Sequence, residues 1–311
     1  MSLKPRTNFN FMRWRVASMV LSTLINLAAI ASLAWQGLNL SIEFTGGTVV
    51  ELAFEGTADL KDIRARLKSS DFGGGIVQNF GGPESVLLRL PPSDNVSEQE
   101  AASKDVGERI TALLPGAEIR RVEFVGPQVG DELAEDAIIA SLIALGGILI
   151  YVMLRFTVKF AAGAIIATVH DIMVILGFFS LTRMEFDLTA LAAILAVMGY
   201  SLNDTIVVFD RVRENLRSMR KADPVEVMNY SLNQTLSRTI NTSLVTLLSV
   251  LALYFLGGEL IHSFATALMI GIFVGTYSSI YVAGAGVLSL GVTRQDLLPV
   301  QKEGADPDVR S

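Results

Sequence analysis

Long apolar runs alternate with charged or mixed stretches along the chain, and those runs exceed what a soluble core requires. Six of them reach the roughly 20 residues with which a helix crosses a hydrocarbon core. They are Val16–Gln36, Asp136–Leu154, Phe160–Leu181, Leu188–Phe209, Ile240–Leu256 and Phe264–Leu290. The last holds Gly271, Gly275, Gly284 and Gly286, which predicts a tilt, a kink or an early exit from the membrane. Gly271-x-x-x-Gly275 has close-packing spacing and is read as packing. Between the first two runs the period changes. Gly47–Phe54 alternates as a strand, Asp59–Ser69 reads as a helix, and Gly75–Phe80 and Ser85–Leu90 read as strands around Gly81-Gly82-Pro83. Ser97–Leu114 reads as a helix opened by the capping box Ser97-x-x-Glu100, and Glu118–Val125 as a closing strand. The order β-α-β-β-α-β is the ferredoxin-like pattern.

The fold class expected is therefore a polytopic α-helical membrane protein with six transmembrane helices. One α+β ferredoxin-like extracytoplasmic domain stands between the first and second of them. The segmentation is a cytoplasmic N-terminal tail (1–15), a first span (16–36), the extracytoplasmic domain (37–135), a five-helix membrane region (136–290) with a cytoplasmic loop (210–239), and a cytoplasmic C-terminal tail (291–311). Within that loop Asp223-Pro224 reads as a turn that starts a second helix, with Pro224 at its first position.

Composition agrees with the pattern. Of 311 residues 51% are hydrophobic and 18% charged, where soluble domains carry about 25% charged residues. No cysteine is present, which excludes disulfides, thiol catalysis and thiolate-held metals. Two histidines, His170 and His262, leave little room for a His-rich metal site, and His262 reads as a surface residue. The net charge of −6 argues against a nucleic-acid binder. Basic residues set the orientation. Lys4, Arg6, Arg13, Arg15, Arg155, Lys159, Arg211, Arg213, Arg217, Arg220, Lys221, Arg238, Arg294, Lys302 and Arg310 fall on one side, and the short loops of the other side offer only Arg183. Both termini are expected in the cytoplasm. The first run is longer than the roughly 7–15 residues of a signal-peptide core, so it reads as a span.

Ionisable groups inside a span are functional-site candidates by default. Asp171 sits mid-way along the third run beside His170, Asp204 one to two turns before the cytoplasmic end of the fourth, and Arg238 at the cytoplasmic start of the fifth. Asp204 lies within Tyr200-Ser201-Leu202-Asn203-Asp204-Thr205. Tyr200 and Ser201, at i−4 and i−3, share its face. The fifth run carries a hydroxyl-rich stripe, Thr235, Thr239, Thr242, Thr246 and Ser249. A polar stripe in hydrocarbon must meet another polar face or water. The economical packing sets it against Asp204, with Arg238 near the carboxylate and Tyr200, Ser201, Asn203, Thr205, Thr242 and Thr246 lining a polar path. Desolvation favours the neutral acid and a nearby guanidinium the carboxylate, so motion of Arg238 would switch proton affinity. The plainer alternative is a static ion pair at a helix end. His170 and Asp171 are secondary candidates, with mutual hydrogen bonding as the alternative. Asp210 and Arg211 read as solvated. An intramembrane aspartyl protease would pair Asp171 with Asp204, but the adjacent Tyr-Asp and Gly-x-Gly-Asp motifs are missing. A non-catalytic assembly subunit would need no buried acid.

Several segments, in order, resemble one family. They are Ser41-Ile42-Glu43-Phe44-Thr45-Gly46-Gly47-Thr48, Val125-Gly126-Pro127-Gln128-Val129-Gly130-Asp131-Glu132-Leu133, Val169-His170-Asp171, Gly199 to Asn215 and Asn233 to Thr239. Together they resemble SecF, the smaller half of the SecD–SecF protein-export membrane proteins, over nearly the whole chain. The resemblance implies half of an RND-type transporter in the bacterial cytoplasmic (inner) membrane, a transport subunit rather than an enzyme. SecD would be the obligate other half. The SecY–SecE–SecG channel, YajC, YidC, a translocating preprotein and the lipid bilayer would be its further partners. It implies a proton-driven role in late preprotein translocation and release, with no cofactor. The coupling ion would be H+, with Na+ as the alternative. The residues matching the family's proton-coupling pair are Asp204 and Arg238. A half-size RND exporter of lipids or small molecules is the runner-up.

Overall fold

The computed structural model describes residues 7–70, 72–91, 106–219, 221–293 and 296. The Ser97–Glu100 capping box, Arg220 and nearly all of the expected C-terminal tail lie outside them.

Six helices are long and apolar enough to cross a membrane. They are α1 (Arg15–Gln36), prolonged at its start by the 3₁₀ turn Phe11–Trp14, α5 (Pro127–Arg155), α6 (Val158–Thr182), α7 (Leu188–Ser218), α8 (Pro224–Leu256), and a composite of α9 (His262–Ser278), the π turn Ser279–Ala283 and α10 (Gly284–Ser289). Three of these helices overrun the expected spans. The second begins at Pro127 rather than Asp136. The fourth continues to Ser218, and the fifth starts at Pro224, so the expected cytoplasmic loop is mostly two helix extensions. Hydropathy marks where hydrocarbon ends, whereas backbone hydrogen bonding continues until a cap or breaker stops it. Pro224 does occupy the first helical position of α8, with Asp223 Oδ2 accepting from Val225 N at 3.2 Å. The N-terminal stretch is docked rather than free. Met12 is buried, and Asn233 Oδ1 of α8 accepts from Phe9 N while its Nδ2 donates to Phe9 O, both at 2.8 Å.

Two larger apolar clusters hold the bundle, one toward each end, and a smaller one joins Val250 of α8 to Ala265 and Ile272 of α9. Phe209 packs edge to face on Phe156 and Phe160 at the end of the bundle that holds Met12, Met228 and Val287. Ile175, Phe179, Phe186, Ala193, Val197 and Ala267 form the other cluster. Small residues set the close approaches. A Cβ on Gly177 would run into Ala29, and one on Gly271 into Val197, so Gly271 does pack a span as its spacing predicts. By contrast α5 and α8 are largely exposed in the isolated chain.

The domain between α1 and α5 contains β2 (Gly47–Phe54), α3 (Leu60–Lys68), β3 (Ile76–Asn79), β4 (Ser85–Leu90), α4 (described over 106–113) and β5 (Ala117–Val125). The strands pair in the order β3-β4-β2-β5, each pair antiparallel. Alternation decides which face is filled. Val50 and Leu52 of β2, with Val86 and Leu88 of β4, meet Ile63, Leu67, Val106 and Ile110 from the two helices. The opposite face, carrying Val49 and Leu87, packs on Ile42. Ile42 belongs to a short turn of helix, α2 (Ile42–Thr45), just after β1 (Asn39–Leu40). Strand β1 pairs in parallel with β6 (Glu185–Phe186) from the α6–α7 connection.

Candidate functional site

Asp204 stands on α7 with only 3% of its surface exposed. Its Oδ2 is enclosed and accepts no hydrogen bond among the described residues. Arg238 lies on neighbouring α8 and is exposed. Among the described residues no ion pair within 4 Å joins the two. A buried carboxylate with neither donors nor a paired cation is costly to keep charged.

The structure redistributes the expected polar path. Ser201 belongs to the other aspartate: its hydroxyl donates to Asp171 Oδ2 at 2.5 Å. Ser278 of α9 donates to the same oxygen at 2.8 Å, and His170 Nδ1 lies 3.0 Å from Oδ1. Asp171 is 1% exposed and forms a hub between α6, α7 and α9. His170 Nε2 is enclosed without a partner among the described residues. Thr242 and Thr246 turn their hydroxyls back onto Arg238 O and Thr242 O, at 3.0 and 2.9 Å. That is the usual alternative for a hydroxyl inside a helix, and it removes both as donors to Asp204. Asn203 is exposed on the outside of the isolated chain, and Thr205 is buried. Tyr200 does reach α8, but through Ser243, at 3.3 Å, which is in turn 2.7 Å from Thr276 of α9. Asp210, expected to be solvated, is ion-paired at the surface with Arg155.

Ser243, Thr276 and Ser278 are the polar residues that sequence reasoning missed. Ser243 adjoins Thr242, and Thr276 and Ser278 lie in Thr276-Tyr277-Ser278-Ser279; hydroxyls are too common in spans for spacing alone to single these out. A structural mark accompanies Ser278, because the π turn begins at the next residue. Such bulges are frequent at functional positions in helices.

The domain between α1 and α5 meets the start of α7 directly. Leu188 N, the first of that helix, donates to Glu43 Oε2 at 2.8 Å, while Asp187 Oδ1 caps Ala190 N at 2.7 Å. Gln78 of β3 lies 3.3 Å from Glu185 Oε2. Burial pushes the Glu185 carboxyl above its ordinary range, against the opposing pull of the Arg89 guanidinium and the Gln78 hydrogen bond. A cavity of about 520 Å³ lies here, lined among others by Glu43, Glu51, Arg183, Glu185 and His262.

Comparison with known proteins joins these features to one family. Residues 105–293 match the family described as protein export membrane protein SecD/SecF, C-terminal, and residues 31–58 match the SecD/SecF GG motif. The chain is 50% identical over 308 residues to the protein translocase subunit SecF of Vibrio alginolyticus, covering 98% of each. It is 44% identical over 314 residues to that of Pseudomonas aeruginosa, covering 99% of each. Among solved structures it is similar to SecDF, a translocon-associated membrane protein from Thermus thermophilus, with a TM-score of 0.83 at 39% identity. The match covers 92% of this chain and 39% of that longer one. A second SecDF structure, in a super-membrane-facing form, matches with a TM-score of 0.68 at the same 39% identity, over 94% of this chain and 40% of that one. The chain, a multi-pass membrane protein, belongs to the SecD/SecF family of protein-export membrane proteins.

Proposed function

We propose that this chain works as the SecF half of a SecD–SecF pair that uses the proton-motive force to drive late steps of preprotein translocation and release. It is a transport subunit and not an enzyme, held in the cytoplasmic membrane with both termini inside. SecD is its immediate partner, and the fused SecDF relatives support that pairing. Its wider partners are the SecY–SecE–SecG channel, YajC, YidC and the translocating preprotein, and it binds no nucleic acid.

One observation carries the mechanism. Asp204 is buried with an unanswered oxygen, and Arg238 stands on the neighbouring helix with no ion pair to it within 4 Å. When Arg238 approaches, the carboxylate is the favoured form; when it withdraws, the neutral acid is. Proton binding at Asp204 therefore couples to the relative position of α7 and α8. Each charge crossing 100 mV supplies about 2.3 kcal/mol, enough to move a two-state equilibrium some tens-fold. Tyr200, Ser243 and Thr276 tie α7, α8 and α9 together beside this pair. H+ is the coupling ion of this reading, and Na+ is its alternative.

The test uses inverted vesicles holding the chain with SecD and the channel. A translocation intermediate is arrested, the ATP-driven step is removed, and a proton gradient is imposed. Wild type completes export; Asp204→Asn and Arg238→Ala stall while still assembling with SecD. Completion at the wild-type rate by both variants would contradict the reading.

A further inference from the structure

The connection between the proton-binding helix and the external domain is a specific contact as well as a covalent chain. In the segment Ser41-Ile42-Glu43-Phe44-Thr45-Gly46-Gly47, Glu43 Oε2 takes the Leu188 N–H at the start of α7, at 2.8 Å. A carboxylate suits that place, because the first N–H groups of a helix lack partners and its dipole is positive there. Asp187, the helix's own cap, accepts from Ala190 N and leaves Leu188 N for Glu43. Ser41 N donates to Phe186 O at 3.0 Å, and the rings of Phe44 and Phe186 stack at 6.1 Å. The same segment is locked onto the domain. Arg89 of β4 donates to Thr45 Oγ1 at 2.8 Å. Gly46 and Gly47 both have positive φ, at 65° and 124°. A Cβ on Gly46 would stand 2.9 Å from Pro127 Cα of α5, and one on Gly47 2.5 Å from Leu90 O of β4. The two glycines thus let the backbone lie flat between β4 and the start of α5, with Glu43 held out toward α7.

We propose that Glu43 is a positioning residue that couples the Asp204 helix to the external domain. Leu188 and Asp204 are sixteen residues apart on one continuous helix, about 24 Å at 1.5 Å per residue. A displacement of α7 set by Asp204 reaches the Glu43 contact unchanged in direction, and the glycine-locked segment passes it to the sheet. This inference rests on the proton-driven reading above, and its test separates the two.

The sequence has no cysteine, so paired spin labels can be placed cleanly at Glu118→Cys, exposed on β5, and Leu181→Cys, exposed at the end of α6. The full chain is reconstituted with a cysteine-free SecD, and the label-to-label distance is measured with and without a proton gradient. The contact is broken in two independent ways. Glu43→Ala removes the acceptor. Leu188→Pro removes the donor at a first helical position, where proline is well tolerated, and Asp187 already has the extended backbone that a following proline requires. The expected result is a gradient-driven distance shift in wild type that is lost in both variants, with SecD binding intact. Glu43→Gln, which keeps an accepting oxygen, retains the shift. A wild-type shift in Glu43→Ala and Leu188→Pro, with none in Asp204→Asn, would overturn the inference and leave the proton reading standing. A wild-type shift in Asp204→Asn would overturn both. Loss of SecD binding in both contact variants would make the contact an assembly determinant and overturn the coupling role.

Discussion

Asp171 and Asp204 are buried to nearly the same degree in one helical bundle, and their surroundings differ completely. Asp171 is answered by two serine hydroxyls on one oxygen and a histidine nitrogen on the other, contributed by three helices. Asp204 has an enclosed oxygen with no donor among the described residues, and Arg238 on the neighbouring helix makes no ion pair with it within 4 Å. The contrast separates an aspartate that joins helices from one that, in the proposed mechanism, changes charge with the position of a neighbouring helix. Burial is common to both aspartates; an enclosed carboxylate oxygen without a donor is what makes Asp204 rather than Asp171 the candidate proton site.

The largest expected effect falls on the satisfied aspartate. Asp171→Ala leaves Ser201 and His170 buried without their partner, and Ser278 with only the Gly275 carbonyl. Each orphaned group costs about 1–3 kcal/mol, so thermal unfolding of the purified complex should drop sharply, with reduced yield in the membrane. Asp204→Asn replaces an unanswered carboxylate with a near-isostere, and its melting temperature should stay at the wild-type value even though proton-driven export is lost. Equal destabilisation by the two substitutions would erase the contrast. A smaller loss is expected at Gly271, where a Cβ runs into Val197 of α7. Gly271→Ala should cost about 1–3 kcal/mol by overpacking, read as a lowered melting temperature, and should also weaken export by displacing α7.

The smallest effect concerns Glu185, outside the spans. Its carboxyl titrates above the ordinary range because it is partly buried, so the folded state holds the proton more tightly than the unfolded chain. The stabilisation is complete below the ordinary carboxylate pKa and is lost as pH rises through the higher folded value. Glu185→Gln should flatten the dependence of melting temperature on pH in that window and raise stability at neutral pH. An unchanged pH profile would contradict this.

Much of this architecture was legible in the chain. Six apolar runs, the strand alternation of Gly47–Phe54 and Ser85–Leu90, and the Asp223-Pro224 helix start all correspond to local physics, and each has its counterpart in the structure. Helix ends beyond the membrane were less legible, because Pro127–Glu135 and Asp210–Ser218 are helical without being apolar. The partner of Ser201 was not legible at all. Spacing puts Ser201 on the face of Asp204, one turn away, but a single turn of rotation is shared by two carboxylates on different helices, and only tertiary packing assigns the hydroxyl to Asp171. For Thr242 and Thr246 the competing acceptor was their own helix. The role of Glu43 needed a contact 145 residues away along the chain, beyond any local pattern.

The most direct measurement of the central claim is infrared difference spectroscopy of the chain with SecD in liposomes, taken across an imposed proton gradient. The protonated-carboxyl stretch should appear in wild type, vanish in Asp204→Asn and persist in Asp171→Asn. A stretch that survives in Asp204→Asn and disappears in Asp171→Asn would contradict the account, because the proton would then reside on the aspartate that the structure has already saturated.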